Sequence, residues 1–150
     1  MFHYKSPAKL NLFLKVLNKR IDGFHNIQSI FQLIDFYDYL SFEKRKDNKI
    51  EITCNIKNLE SNNLIKMAIE LFRKKFGVKK YGLNIKLKKN IPIGAGLGGG
   101  SSNAATTLIA LAQIWNIKIT SNSLFDLGLE LGSDVPFFLN GMNAWVEGRG

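Results

Sequence analysis

The sequence predicts an α+β domain, and three observations point there. Segments between positions 8 and 56 alternate in polarity or are rich in β-branched and aromatic residues. From position 64 onward most of the chain carries helical spacing, with a short strand-like stretch at the end and one further strand at 83–89. Between that strand and a helix lies a glycine-rich stretch, Pro92 to Ala105. At 150 residues the chain is one domain's worth, and 45% hydrophobic content is ordinary for a globular protein with a proper core.

The elements follow in order. In AKLNLFLKV, residues 8–16, Leu10, Leu12, Leu14 and Val16 fall on one face of a strand. Lys9, Asn11, Phe13 and Lys15 fall on the other, so Lys9 and Asn11 point the same way. On the strand pattern alone they are two solvated polar residues. In RIDGFHN, residues 20–26, Asp22-Gly23 signals a hairpin turn with Phe24 and His25 on its far side. An aromatic beside a histidine suits a planar ligand, or is incidental. Residues 27–45 read as one or two strands, and IEITCNI (50–56) as the next. Leu64, Ala68, Leu71 and Phe72 make a helical stripe that Gly77 stops and Asn62 or Asn63 could cap. A strand at 83–89, the glycine loop, and helices at about 101–115 and 121–131 follow. Asp134 precedes Val135-Pro136 and the apolar run after them. It reads either as a helix N-cap or as a carboxylate against apolar neighbours, suited to base chemistry. A short strand-like NAWVEG comes last.

The glycine stretch, PIGAGLGGGSSNAA, holds five glycines between Gly94 and Gly100. Glycines let a ligand approach the main chain closely, and the helix that follows begins with unpartnered amides at its positive end. Together these make an anion site, most often for phosphate. A P-loop needs Gly-Lys-Ser/Thr, but Gly100 is followed directly by Ser101. Gly94, Gly96 and Gly99 satisfy GxGxxG, yet LNIKLKK before them alternates rather than forming a buried strand, and the expected acidic strand end is missing. A turn with no task would not carry so entropically costly a composition.

The formal charge is +9. It fits nucleic acid, an anionic membrane or a polyphosphorylated substrate, or a compositional bias over solvated faces. The lysines near 44–49, 74–80 and 86–89 read as such faces, without the interleaved aromatics that stack bases. Cys54 is the only cysteine, so no intramolecular disulfide and no Cys/His metal cluster is expected. No stretch is apolar enough to span a bilayer, and the opening residues lack the marks of a signal peptide, so a cytoplasmic setting is expected.

Five pieces, SPAKLNLFL, DGFH, NNLI, PIGAGLGGGSSNAA and GSDVPFFLNG, stand in an order that resembles the GHMP kinases essentially throughout the chain. The resemblance is nearest to the branch whose acceptor is a cytidine-diphosphate-linked methylerythritol, on the non-mevalonate route to isoprenoid precursors. It implies a fold like domain 2 of ribosomal protein S5, a mixed sheet with helices on one side, and an N-terminal ATP-binding domain over 1–150. It implies ATP and Mg2+, a small-molecule substrate, and neither nucleic acid nor membrane as partner. Lys9 and Asp134 would be the catalytic pair, with Asp134 taking the hydroxyl proton and Lys9 orienting it and offsetting phosphoryl charge. Pro92, Ile93, Gly94, Ala95, Gly96, Leu97, Gly98, Gly99, Gly100, Ser101 and Ser102 would wrap the phosphates, with Ser101 or Ser102 near magnesium. Asn63 and Leu64 would border adenine. Asn11 would hold the acceptor, Phe24 would stack on cytosine where the family usually has tyrosine, and His25 would read the base edge. Family members are about twice this length, so the resemblance implies a second half that completes both pockets and is absent from this chain. Two other readings stand beside this one: a homoserine- or mevalonate-type GHMP kinase, and a non-catalytic nucleotide- or RNA-binding module.

Overall fold

A computed structural model describes residues 1–57, 59 and 64–149. The chain opens with a long antiparallel hairpin, β1 (Phe2–Lys19) and β2 (His25–Arg45). Its turn is the expected Asp22-Gly23: Gly23 takes φ 86°, which glycine adopts without penalty, and the Arg20 amide donates to the Phe24 carbonyl at 2.8 Å. β3 (Ile50–Cys54), α1 (Leu64–Phe76) and β4 (Gly82–Lys88) follow, then α2 (Gly99–Ile114), α3 (Ser121–Leu131), α4 (Val135–Asn140) and β5 (Ala144–Arg149). The Asn62 and Asn63 cap of α1 lies outside the described residues.

The sheet runs β1-β2-β4-β3, with β3 parallel to β4 and the other pairings antiparallel. β2 is long enough to serve two neighbours on one edge: residues 39–45 pair with β4 and residues 26–31 with β5. The helices cover one side. Leu40, Phe42, Leu83 and Ile85 of the sheet meet Ile65, Ile69 and Phe72 of α1 and Leu108 and Leu111 of α2, all essentially without solvent contact. Eleven of the sixteen α2 residues are buried, so the helix that follows the glycine loop is the central one. This is the α+β arrangement that the sequence predicts. No helix among the described residues is long and apolar enough to cross a membrane.

Three features depart from the sequence pattern. In β1, Asn11 pairs with Phe31 but Phe13 pairs with Ile30, so Leu12 is a bulge. An extra residue reverses the in-and-out order beyond it. Lys9 and Asn11 do share a face, but past the bulge that face carries Leu14 and Val16, not Phe13 and Lys15. Leu10, Leu12, Leu14 and Val16 are exposed, while Lys9 is buried. In β2, Pro7 pairs with Tyr37 but Ala8 with Ile34, which leaves Asp35 and Phe36 as extra residues. Along the strand, burial passes from the odd positions Ile27, Ser29 and Phe31 to the even positions Asp38, Leu40 and Phe42. The third departure is Lys89. The sequence expectation placed it on a solvated face, yet it is buried, because it continues the inward series Leu83, Ile85, Leu87 of β4.

Leu40 is expected to be a core determinant. Leu40→Ala should lower unfolding free energy by about 2–5 kcal/mol, read from urea denaturation of parent and variant. A loss below about 1 kcal/mol would contradict its placement against α1 and α2.

Candidate functional site

The site grows from the head of α2. Gly98 occupies the N-cap position in a left-handed conformation, φ 69°. A β-carbon there would come within 2.7 Å of the Phe138 ring and 3.1 Å of the Lys9 side chain, so neither its dihedral nor its surroundings admit another residue easily. The first helix-type bond runs from the Ser102 amide to the Gly98 carbonyl at 2.9 Å. The amides of Gly99, Gly100 and Ser101 precede any intrahelical acceptor, at the positive end of a sixteen-residue helix with no acidic residue in its first turn. Such a terminus suits an anion.

β1 brings a cation to it. The Lys9 amide donates to the Leu97 carbonyl at 3.0 Å, joining strand to loop. The Lys9 side chain is then held on three sides. Its ammonium donates to Asn11 Oδ1 at 2.6 Å, lies 3.9 Å from the centre of the Phe31 ring, and pairs with Asp134 Oδ2 at 3.4 Å. The Lys9 side chain is 5% exposed and that of Asp134 is 31% exposed. Asp134 stands at the N-cap position of α4 but makes no side-chain capping bond; the carboxylate turns to Lys9 instead. A fixed lysine beside a partly open carboxylate, next to an anion site, can hold a nucleophilic hydroxyl and take its proton.

These groups line one cavity of about 460 Å³. Lys9, Asn11, Leu64, Asp134 and the loop from Pro92 to Ser101 all contribute to it. Ser102 does not: its side chain is fully buried, and its hydroxyl accepts a bond from Ser6 at 2.8 Å. Phe24 and His25 stand at the exposed hairpin tip and do not line this cavity. Asn63 lies outside the described residues. Sequence reasoning missed Lys89, which also lines the cavity, and its buried partner Asp38. The signal was present in both strands, since each continues an alternating series of buried apolar residues.

The profile described as "GHMP kinases N terminal domain" matches residues 63–142, more than half of the chain. Curated relatives named 4-diphosphocytidyl-2-C-methyl-D-erythritol kinase align over nearly its whole length. One from Francisella philomiragia is 48% identical over 149 residues, covering 99% of this chain and 54% of the relative. One from Acinetobacter baumannii is 49% identical over 150 residues, covering 100% and 54%. A crystal structure of 4-(cytidine 5'-diphospho)-2C-methyl-D-erythritol kinase superposes with a TM-score of 0.84 at 37% identity, covering 98% of this chain and 52% of that one. The chain spans about half the length of the curated relatives it matches.

Gly98→Ala tests the terminus. The variant should bind inorganic triphosphate at least about tenfold more weakly, because its strain displaces the amides that follow. Isothermal titration calorimetry reads this, and parent-like affinity would show that the loop's head is not the anion site.

Proposed function

From the premise that the chain belongs to the GHMP kinases, we propose that residues 1–150 form the nucleotide-holding N-terminal domain of an ATP-dependent kinase. Its acceptor is a hydroxyl of 4-diphosphocytidyl-2-C-methyl-D-erythritol, in the non-mevalonate route to isoprenoid precursors. The observation that carries the reading is the Lys9–Asp134 pair, lining the same cavity as the glycine loop. The names of the relatives that align over this chain support the choice of acceptor.

Each group then has a task. The unpartnered amides from Gly99 to Ser101 receive the nucleotide phosphates, and Leu64 packs beside the nucleotide. Asn11 helps hold the acceptor. As its oxygen bonds to the γ-phosphorus and the bond to ADP breaks, the hydroxyl proton passes to the Asp134 carboxylate. Lys9 keeps that carboxylate aimed and offsets charge on the transferred group. Such chemistry asks mainly for positioning and charge stabilisation, which rigid partners around Lys9 favour. The exposed pair at the hairpin tip reads the cytosine, with Phe24 stacking on its face and His25 bonding its edge.

Magnesium fits this donor set as an ion that arrives on the nucleotide. Among the described residues no three His, Cys, Asp or Glu side chains gather to hold a resident metal. Magnesium keeps several waters and needs few protein ligands beside substrate phosphates, and Ser101, which lines the cavity, would offer its hydroxyl. When bound it neutralises phosphate charge.

Joined to the further half that its relatives carry, residues 1–150 given ATP, magnesium and the cytidine-linked acceptor are expected to release ADP. Asp134→Asn should lower kcat at least about 100-fold while ADP affinity stays within about threefold. A joined parent chain without turnover would sink the kinase reading for this chain. Preferential turnover of homoserine or mevalonate would overturn the acceptor. In that comparison Phe24→Ala should raise KM for the cytidine-linked acceptor by about tenfold, the loss of one stacked base, with KM for ATP unchanged. An unchanged acceptor KM would remove the hairpin tip from the site.

A further inference from the structure

Beneath the glycine loop lies a buried ion pair with no part in the chemistry above. Asp38 has no solvent exposure, and the Lys89 side chain is 4% exposed. Their separation is 2.6 Å, Lys89 Nζ to Asp38 Oδ2. The other carboxylate oxygen, Oδ1, accepts from the Asn90 amide at 2.7 Å and the Ile91 amide at 2.8 Å. The Lys89 ammonium also donates to the Ile91 carbonyl at 2.8 Å. From the far side Asn55 clasps the Lys89 backbone, accepting from its amide at 2.6 Å and donating to its carbonyl at 3.0 Å.

Residues 89–91 are where the chain leaves the sheet. β4 ends at Lys88 and the loop begins at Pro92, so these amides and carbonyls have lost their ladder partners. Buried main-chain groups must find others. An asparagine or a serine at 38 could serve an amide without the desolvation cost of a buried carboxylate, which needs a cation beside it. The cation reaches further than the carboxylate. A β-carbon built on Gly99 would lie 2.7 Å from Lys89 Nζ. One ammonium therefore touches both the loop's entry, at Ile91, and its exit, at the first residue of α2.

We infer that Asp38 is a positioning residue for the glycine loop. Through Lys89 and the amides of Asn90 and Ile91 it fixes the loop's entry and exit relative to each other. The amides at the head of α2 are thereby set before a polyphosphate arrives. The inference rests on the nucleotide reading above only for the identity of the ligand. Its gain is preorganisation: a loop already in its binding conformation loses less entropy when the ligand docks.

The test compares the 150-residue chain with Asp38→Asn and with the double variant Asp38→Asn/Lys89→Met. Three quantities are read: ADP affinity by calorimetry with magnesium, amide hydrogen exchange, and melting temperature. Asp38→Asn should weaken ADP at least about tenfold and speed exchange at 91–102 about tenfold, with the α1 amides unchanged. The double variant removes the uncompensated charge, so it should recover melting temperature while ADP affinity and loop protection stay lost. If both return with stability, the pair merely stabilises the fold and the inference is overturned. If the parent binds no ADP, the nucleotide reading fails, and exchange alone decides: unchanged loop exchange in Asp38→Asn overturns the positioning role. If Asp38→Asn does not fold, Asn55→Ala replaces it, since Asn55 is exposed and grips the same segment. It should show the same faster loop exchange and weaker ADP binding, and parent-like values of both would refute the inference.

Discussion

One backbone hydrogen bond, from the Lys9 amide to the Leu97 carbonyl at 3.0 Å, joins the two halves of the site. Among the described residues β1 pairs only with β2, at the edge of the sheet, so its outer amides are open to other partners. The loop takes one of them. Together with the buried Ser6–Ser102 hydrogen bond at 2.8 Å, this backbone bond sets the distance between the lysine on the hairpin and the amides at the head of α2. With it, the lysine side chain rises beside Gly98, the absent β-carbon makes room for it, and α4 delivers Asp134 from the third direction.

The charge arrangement follows from this geometry. Lys9 is confined by an amide oxygen, an aromatic face and a carboxylate, which together limit its motion. Asp134 keeps part of its surface open to the cavity. The first turn of α2 carries no acid of its own to oppose an incoming anion. A net charge of +9 adds a long-range attraction for polyphosphates that salt would screen.

Much of the fold was legible in the sequence because its elements obey simple periods. The Asp22-Gly23 hairpin, the alternation of β3 and β4, the stripe of α1 and the bounds of α3 were all visible. The head of α2 begins two residues earlier than the helical pattern implies, since Gly99 and Gly100 have low helix propensity and are held there by tertiary packing. The bulge at Leu12 was hidden: every residue around it continues an apparent alternation, and only pairing with β2 reveals the extra one. Lys9, Asn11, Leu64, Asp134 and the loop through Ser101 come together in one cavity, while Ser102 turns inward to Ser6. Lys89 was misplaced because a lysine among lysines suggests solvent. The position's parity, continuing Leu83, Ile85 and Leu87, was the better guide.

The phase break in β2 has a consequence for how this chain can vary. Before Asp35 and Phe36 the inward positions are odd-numbered; after them they are even-numbered. Both extra residues are exposed, so their chemical identity is weakly constrained. Their number is not. One residue more or fewer between Ile34 and Tyr37 would rotate the far half of the strand by a step, exchanging Asp38 with a neighbour and turning Leu40 and Phe42 outward. The segment is thus free in composition but quantised in length. A change far from any ligand, of a kind that surface loops usually absorb, would here reach the core and the root of the glycine loop together.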